Sequence, residues 1–403
     1  MQKTEKNTLA VLILVAFIDF MGMGLIYPIF PKLLFDQSMH FFAPEVGGAI
    51  RGMWLGVLFF LMPAVQFLSL PIWGTISDEK GRRNPLLYSL LLTMLGYLIS
   101  IFGVIFYSIF FLLLSRVILG ISSGNLAIVQ ASIADISKKE EKTKNFSLYA
   151  MAIGAGFALG PFIGGALAIY DYSLPFSVSL GLTTVNLIVA LVLFQETFFG
   201  NLHKKMNFVV GIKNLKKAWT TKKIRIFFLC TFLVGFAWSY FMEFAPVYLI
   251  KNFGFSAAQI GIFYGSMGAI YALNTGLLLR PILAKYKPEL LLFCGCVLGG
   301  GSILTIPFYP NYYWLIPFVL FFSYVVGVFY PTFTTLVSNN AAKDMQGEAL
   351  GILGSVNTAA QAISVLVAGF FVGLHPSLIM YVGGIVMISP AFIMLWHYGK
   401  KIF

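Results

Sequence analysis

Charge is what this chain has least of. Asp, Glu, Lys and Arg together make up 10% of its 403 residues, against about 25% in soluble globular domains, so an ordinary water-soluble fold is excluded. Cysteine is nearly absent as well: Cys230, Cys294 and Cys296 all lie in apolar runs, and residues two apart on a helix point about 200° apart. Neither a disulfide nor a metal site is expected. The four histidines (His40, His203, His375 and His397) fall in loops or at helix ends, which leaves any proton handling within the membrane to carboxylates. There is no Gly-rich loop ending in Lys-Ser/Thr to hold a nucleotide phosphate, so ATP is not implied and no cofactor is expected. No histidine, cysteine or acid cluster has catalytic spacing, which argues against an enzyme and leaves no catalytic residue to nominate.

Apolar residues fill the space that charge leaves. They make up 59% of the chain, and the mean hydropathy is +0.87. Runs of about 20 apolar residues bounded by charge, Pro, Gly or Asn predict transmembrane helices. They fall near 8–34, 48–76, 85–106, 108–136, 145–170, 173–194, 224–251, 256–284, 289–308, 312–342, 347–374 and 376–397. The fold class is therefore an all-α membrane protein with twelve transmembrane helices. The first run is too long for a signal peptide and leads into Pro28 and Pro31 without a small-residue cleavage site, so it is expected to remain as helix 1.

The net charge of +12 could suggest a nucleic-acid surface, but its distribution does not. With both termini in the cytoplasm, 23 of the 27 Lys and Arg fall on cytoplasmic segments. That asymmetry sets membrane orientation and fits a bacterial inner membrane, with no nucleic-acid partner. One long hydrophilic interruption divides the chain into an N-terminal bundle (1–195), a basic linker (196–223) and a C-terminal bundle (224–403), six helices to each bundle. Within the linker, Phe208, Ile212, Leu215 and Trp219 recur at helical spacing among Lys213, Lys216, Lys217, Lys222 and Lys223. This predicts an amphipathic helix attracted to anionic lipid on the cytoplasmic leaflet. A weak repeat supports the division: Gly74 precedes Asp78 by four residues, and Gly276 precedes Arg280 by four.

Four segments carry the functional reading. The first joins two apolar runs and reads Gly74-Thr-Ile-Ser-Asp78-Glu-Lys-Gly81-Arg82-Arg83. Gly74 is expected to admit close helix approach, Gly81 to permit a tight turn, and Asp78, Arg82 and Arg83 to form a charge cluster. Helix 1 places Asp19 about 11 residues, or ~16 Å, inside the membrane, ahead of Gly22, Gly24, Tyr27, Pro28 and Pro31. An ionised, unpaired carboxylate there costs several kcal/mol, so Asp19 is expected to be neutral, paired or facing a water-filled cavity. Helix 4 carries Arg116, Gly120, Gly124, Asn125 and Gln130. Arg116 does not readily deprotonate and must find an acid or carbonyls; Asp19 and Glu243 are both candidates. Helix 5 carries Gly156, Gly160, Pro161, Gly164 and Gly165, a small-residue packing face with a proline that favours a kink.

Together these segments resemble the major facilitator superfamily of secondary transporters, and in particular its twelve-helix drug:proton antiporter branch of tetracycline and multidrug exporters. The 74–83 segment resembles the family signature between its second and third helices, and Glu79 stands where the family often has a basic residue. Helix 5 resembles the antiporter motif associated with exporters. The resemblance covers most of the first half and only loosely the second. It implies two six-helix bundles with substrate between them near the midplane. It also makes the 74–83 hairpin a cytoplasmic latch, with Asp78 directed at the start of helix 11 near Gly347 and Glu348.

The expected function is a proton-coupled exporter of amphipathic small molecules or drugs, working by alternating access, with Asp19, Glu243 and Arg116 in proton coupling. Asp135, at the cytoplasmic end of helix 4, is read as a topology or gating residue. Tyr27, Asn125, Gln130, Trp238, Tyr240, Asn357 and Gln361 are the residues nominated for substrate contact, and Glu243 beside Trp238 and Tyr240 would suit a lipophilic cation. The expected partners are the small-molecule cargo, protons and the bilayer, with the chain monomeric. Two rivals stand beside this reading: a dedicated exporter of an endogenous product such as a siderophore or nucleoside, and a non-transporting receptor on the same fold.

Overall fold

The computed structural model describes residues 3–36, 38–138, 141–198, 210–220, 224–274, 281–282, 285–340 and 346–399. The described helices are α1 (Lys3–Ile26), α2 (Ile29–Phe35), α3 (Gly48–Lys80), α4 (Arg83–Ile105), α5 (Ile109–Ser122), α6 (Asn125–Ile136), α7 (Lys142–Leu167) and α8 (Leu174–Leu193). They continue with α9 (Val210–Thr220), α10 (Arg225–Phe253), α11 (Ala257–Leu273), α12 (Pro288–Thr305), α13 (Leu315–Val326), α14 (Phe329–Asn340), α15 (Gln346–Leu374) and α16 (Leu378–Tyr398). Among the described residues, eleven helical stretches are long and apolar enough to cross a membrane, and Ala257–Leu273 is a shorter apolar helix beside them. There is no strand among the described residues. The predicted linker helix is α9; Phe208, Lys222, Lys223, Gly276 and Arg280 lie outside the described residues.

Among the described residues, three of the predicted spans are seen to be interrupted. Helix 1 is interrupted at Tyr27 and Pro28, as its prolines suggest, while helices 4 and 10, both predicted to be continuous, break at Ser123–Gly124 and Gly327–Val328. A broken helix leaves carbonyls without donors, and in a bilayer these must be satisfied by protein. At the helix 4 break, the Trp73 indole on α3 occupies the place a side chain on Gly124 would fill and donates from Nε1 to the Ile121 carbonyl at 2.7 Å. One turn earlier on α3, Ser69 Oγ donates to the Gly120 carbonyl at 2.9 Å. At the helix 10 break, the Asn274 side-chain amide donates to the Tyr324 carbonyl at 2.8 Å.

The chain packs as two compact units. The first comprises Met1–Ala43, Ala64–Val209 and Ser256–Ala269. Its closest helix pair is α1 on α7, and the helix 5 glycines account for it. A Cβ on Gly156 would lie 2.6 Å from the Phe17 carbonyl oxygen, and one on Gly160 would lie 2.6 Å from that of Met21. Gly164 meets Leu25 in the same way, so glycines four apart on α7 follow carbonyls four apart on α1. Lipid tails are as apolar as leucine, so this backbone-to-backbone packing, rather than exclusion of water, holds the pair together. Gly165 continues the arrangement towards α11, where its Cβ would lie 3.0 Å from the Gly261 Cα. Behind α1 a wholly buried cluster of Leu12, Val15, Leu86, Leu90, Ile128 and Ile133 fills the unit.

The second unit comprises Pro44–Pro63, Val210–Phe255 and Ile270–Phe403. It uses the same device: a Cβ on Gly52 would lie 2.6 Å from the Gly369 carbonyl, and one on Gly300 would lie 2.5 Å from that of Gly384. Within it α10 packs on α15 and α16, α12 packs on α16, and α9 rests on α15 and α10.

Candidate functional site

Asp19 sits on the inner side of α1, where α6 and α8 converge. Its Oδ2 accepts from the Asn125 amide at 2.6 Å, and its Oδ1 accepts from the Asn186 amide at 3.4 Å. Both asparagines are buried, so an otherwise apolar interior holds the carboxyl between two neutral donors. Asn125, nominated for substrate contact, is thus turned to Asp19. Asn186 was not singled out from the sequence, although a lone amide in the apolar run of α8 is a signal of the same kind.

Arg116 on α5 lies in the same unit and is also buried. Its Nη2 donates to Ser100 Oγ at 3.2 Å, and its guanidinium carbon lies 4.8 Å from the centre of the Phe30 ring. Among the described residues no carboxylate is ion-paired to it; a hydroxyl and an aromatic face take the place of the expected acid. Tyr97, three residues before Ser100 on α4, brings its hydroxyl to 2.9 Å from where a Cβ on Gly22 would be.

The 74–83 hairpin resolves into separate jobs for its two arginines. Arg82 Nη1 donates to Asp78 Oδ1 and to Ser77 Oγ, both at 2.7 Å, while Nε donates to Asp135 Oδ2 at 3.0 Å. Burial opposes the Arg82 charge, but the bonds to Asp135 and Asp78 outweigh it and hold the guanidinium above its ordinary pKa. Arg83 turns instead to the end of α8, donating to the carbonyls of Leu191 at 2.8 Å and Phe194 at 3.0 Å. Gly81 makes the expected turn, with φ +83. Gly74 does not make the expected close approach: nothing lies within 4 Å of where its Cβ would be. The expected partner of Asp78 is the start of helix 11 near Gly347; the side chain of Glu348 there lies outside what the structure describes.

Glu196, which the sequence reading passed over, completes the hairpin. Its Oε1 accepts from the backbone N–H of Arg82 at 2.7 Å, of Thr197 at 3.0 Å and of Phe198 at 3.1 Å, and its Oε2 accepts from that of Arg83 at 3.1 Å. Since Arg82 is the N-cap of α4 and offers no side-chain cap of its own, Glu196 caps that helix from 114 residues away. Arg83 returns the favour at the carbonyl end of α8.

The second unit contains a cavity of about 360 Å³, walled by α10, α13, α14, α15 and Tyr271 of α11. Trp238, Asn357 and Gln361 line it, as nominated. Tyr240 does not: two residues from Trp238, it points about 200° away and is wholly buried against the Phe236 ring. Glu243, five residues from Trp238 and about 140° round the helix, is not among the lining residues either. Tyr27 and Gln130 belong to the first unit, Tyr27 edge-on to Tyr264 at 5.3 Å and Gln130 donating to the Tyr149 hydroxyl at 3.1 Å. Of the nominated residues, then, Asn125 joins Asp19, while Trp238, Asn357 and Gln361 share the aromatic cavity, and Tyr27, Gln130 and Tyr240 belong to neither group.

Broken apolar helices, a buried carboxyl and a ligand-sized cavity define a polytopic membrane carrier rather than an enzyme. The model of the Major Facilitator Superfamily matches residues 12–365, and the chain belongs to that family. It is 27% identical over 373 residues to the quinolone resistance protein NorA of Staphylococcus aureus (strain Mu50 / ATCC 700699), covering 89% of this chain and 88% of that protein. It is 26% identical over 362 residues to the class C tetracycline resistance protein of Escherichia coli, covering 88% and 87%. A POT family transporter solved in complex with 5-aminolevulinic acid shares the fold at a TM-score of 0.78 and 15% identity, covering 98% of this chain and 96% of that one.

Proposed function

We propose that the protein is a proton-coupled exporter of amphipathic small molecules that works by alternating access in a bacterial cytoplasmic membrane, with both termini in the cytoplasm. The observation that carries this reading is Asp19, held by Asn125 and Asn186 with no cation bonded to it among the described residues. A carboxyl pinned by a permanent cation stays ionised, whereas one held by neutral amides can take up a proton in one state and release it in another. Arg116, to which no carboxylate is ion-paired among the described residues, supplies a fixed buried charge in the same unit, and Glu243 is a second candidate carrier.

Cargo occupies the aromatic cavity of the second unit, against Trp238, Asn357 and Gln361. The 74–83 hairpin is the cytoplasmic gate, with Arg82 holding Asp78 and Asp135 in register. The chain functions as a monomer of two six-helix bundles joined by a basic linker, and uses no cofactor. The resistance proteins named above support export of drug-like molecules. A membrane potential of 100 mV supplies about 2.3 kcal/mol per charge moved, enough to sustain a useful gradient for each proton exchanged.

The test is proton movement in proteoliposomes challenged with a chemically diverse panel, for wild type and Asp19→Asn. Compound-dependent proton flux that disappears in Asp19→Asn is the expected result. Compound flux without proton flux would overturn the coupling, and binding without either flux would favour a receptor.

A further inference from the structure

We propose that the cavity of the second unit selects its cargo in an uncharged form: a planar aromatic molecule that presents an amide or carbonyl edge, rather than a permanent cation. The proposal rests on the exporter reading for the identity of the site and adds the class of molecule the site takes.

The walls set the terms. Trp238, Tyr271, Phe329 and Phe333 supply aromatic surface, and Thr231, Thr334, Asn357 and Gln361 supply neutral hydrogen-bonding groups. None of the described lining residues is charged, and helix 10, which contributes two of the rings, has no ionisable side chain between Leu315 and Asn340 except the tyrosines. A cation entering this space would shed its water without meeting a counter-charge. Attraction to ring faces offsets part of that loss, but one face of Trp238 is already stacked on Phe322, at 6.0 Å and 12°. Glu243, the acid that would favour a cation, is turned away from the lining.

The polar groups are arranged for a neutral edge. Asn357 and Gln361 lie one turn apart on α15 and therefore share a face. Each amide offers both a donor and an acceptor, so the pair can meet a carbonyl and an N–H on one ligand. Gly235 on α10 makes room for the Asn357 side chain at the cavity wall: a Cβ there would lie 2.5 Å from Asn357 Oδ1. The volume, about 360 Å³, falls at the small end of ligand sites and suits two or three fused rings.

The experiment compares two probes of the same ring system, 2-naphthamide and (naphthalen-2-ylmethyl)trimethylammonium, by equilibrium dialysis against the full chain in nanodiscs. The neutral probe is expected to bind at least tenfold tighter. Asn357→Leu and Gln361→Leu should each weaken the amide about tenfold and leave the ammonium unchanged, while Asn357→Asp should reverse the preference by supplying the missing charge. Equal or tighter binding of the ammonium to wild type overturns the proposal, as does binding of neither probe, or indifference of amide binding to all three variants. Proton flux driven by each probe in proteoliposomes separates the two levels. Flux driven by the ammonium alone sinks the neutral-cargo inference and leaves the exporter standing, whereas compounds that bind without moving protons sink the exporter reading itself.

Discussion

Removing the Glu196 carboxylate should loosen the 74–83 hairpin without touching either the Asp19 cluster or the cavity. Glu196→Ala leaves four backbone N–H groups without their acceptor, two of them at the start of α4. Loss of an N-cap costs about 1 kcal/mol, and loss of an anion at a helix N-terminus costs a further ~0.3–1 kcal/mol. The Thr197 and Phe198 amides lie at the margin of the unit, where water replaces much of what is lost. The expected cost is about 1–3 kcal/mol, or an apparent Tm lowered by roughly 2–12 °C for a cooperative unit of some 200 residues. Glu196→Gln keeps one acceptor oxygen and should fall between Ala and wild type. Thermal unfolding in detergent checks the order, and hydrogen exchange at Arg82 and Arg83 checks the place. If Glu196→Ala melts with wild type and those amides stay protected, the cap does not hold the hairpin and the reasoning is wrong.

Trp73→Phe keeps the ring that fills the helix 4 break but strips the donor from the Ile121 carbonyl; a loss of about 1–3 kcal/mol is expected, read as a lower Tm. Gly160→Leu would force a side chain into the Met21 carbonyl and the Gly24 backbone, and is expected to abolish monodisperse protein on size exclusion, whereas Gly181→Ala, with nothing within 4 Å, should elute as wild type does. At the end of helix 1, burial opposes ionisation of Asp36, but hydrogen bonds from Ser38 and the Lys32 charge outweigh it and lower its pKa. Its contribution is therefore complete above the ordinary carboxylate range and is lost as pH falls through the depressed value. Wild type should be more stable than Asp36→Asn near neutrality, with the gap closing as pH falls below the ordinary carboxylate range; a gap that widens on acidification would contradict the assignment.

What the sequence made legible follows from what leaves a periodic or compositional trace. Apolar runs mark spans because the bilayer admits nothing else, and glycines four apart on α7 announce a packing face that the structure sets against α1. Asp19 stood out because a carboxylate in such a run demands a reason. The partners of these residues were less legible, because they are fixed by three-dimensional neighbours. Arg116 meets a hydroxyl and a ring instead of an acid, and Arg82 and Arg83, adjacent and chemically identical, serve different helices. Glu196 is a single acid at the end of a span, and nothing local says that it caps a helix begun more than a hundred residues earlier. Tyr240 and Trp238 were nominated together by proximity along the chain, yet helical geometry sends them to opposite sides of α10.

The internal repeat is deeper than the 74–83 motif through which the sequence shows it. The second copy of that motif lacks the acid and the turn glycine, so by sequence the halves have diverged where the first half keeps Asp78 and Gly81. In the structure both halves keep a different feature. Helices 4 and 10 break two and three residues, respectively, after a carbonyl, Ile121 or Tyr324, that takes its hydrogen bond from a side chain outside the broken helix. The donors are different, an indole and an amide, but Trp73 immediately precedes the glycine of the first motif and Asn274 stands two residues before the glycine of the second. A helix broken inside a membrane needs an outside donor to satisfy the freed carbonyl, and the chemistry of that donor matters less than its position. The two breaks therefore share a place in the fold rather than a residue type, which is why this part of the repeat is plain in the hydrogen bonds and nearly invisible in the sequence.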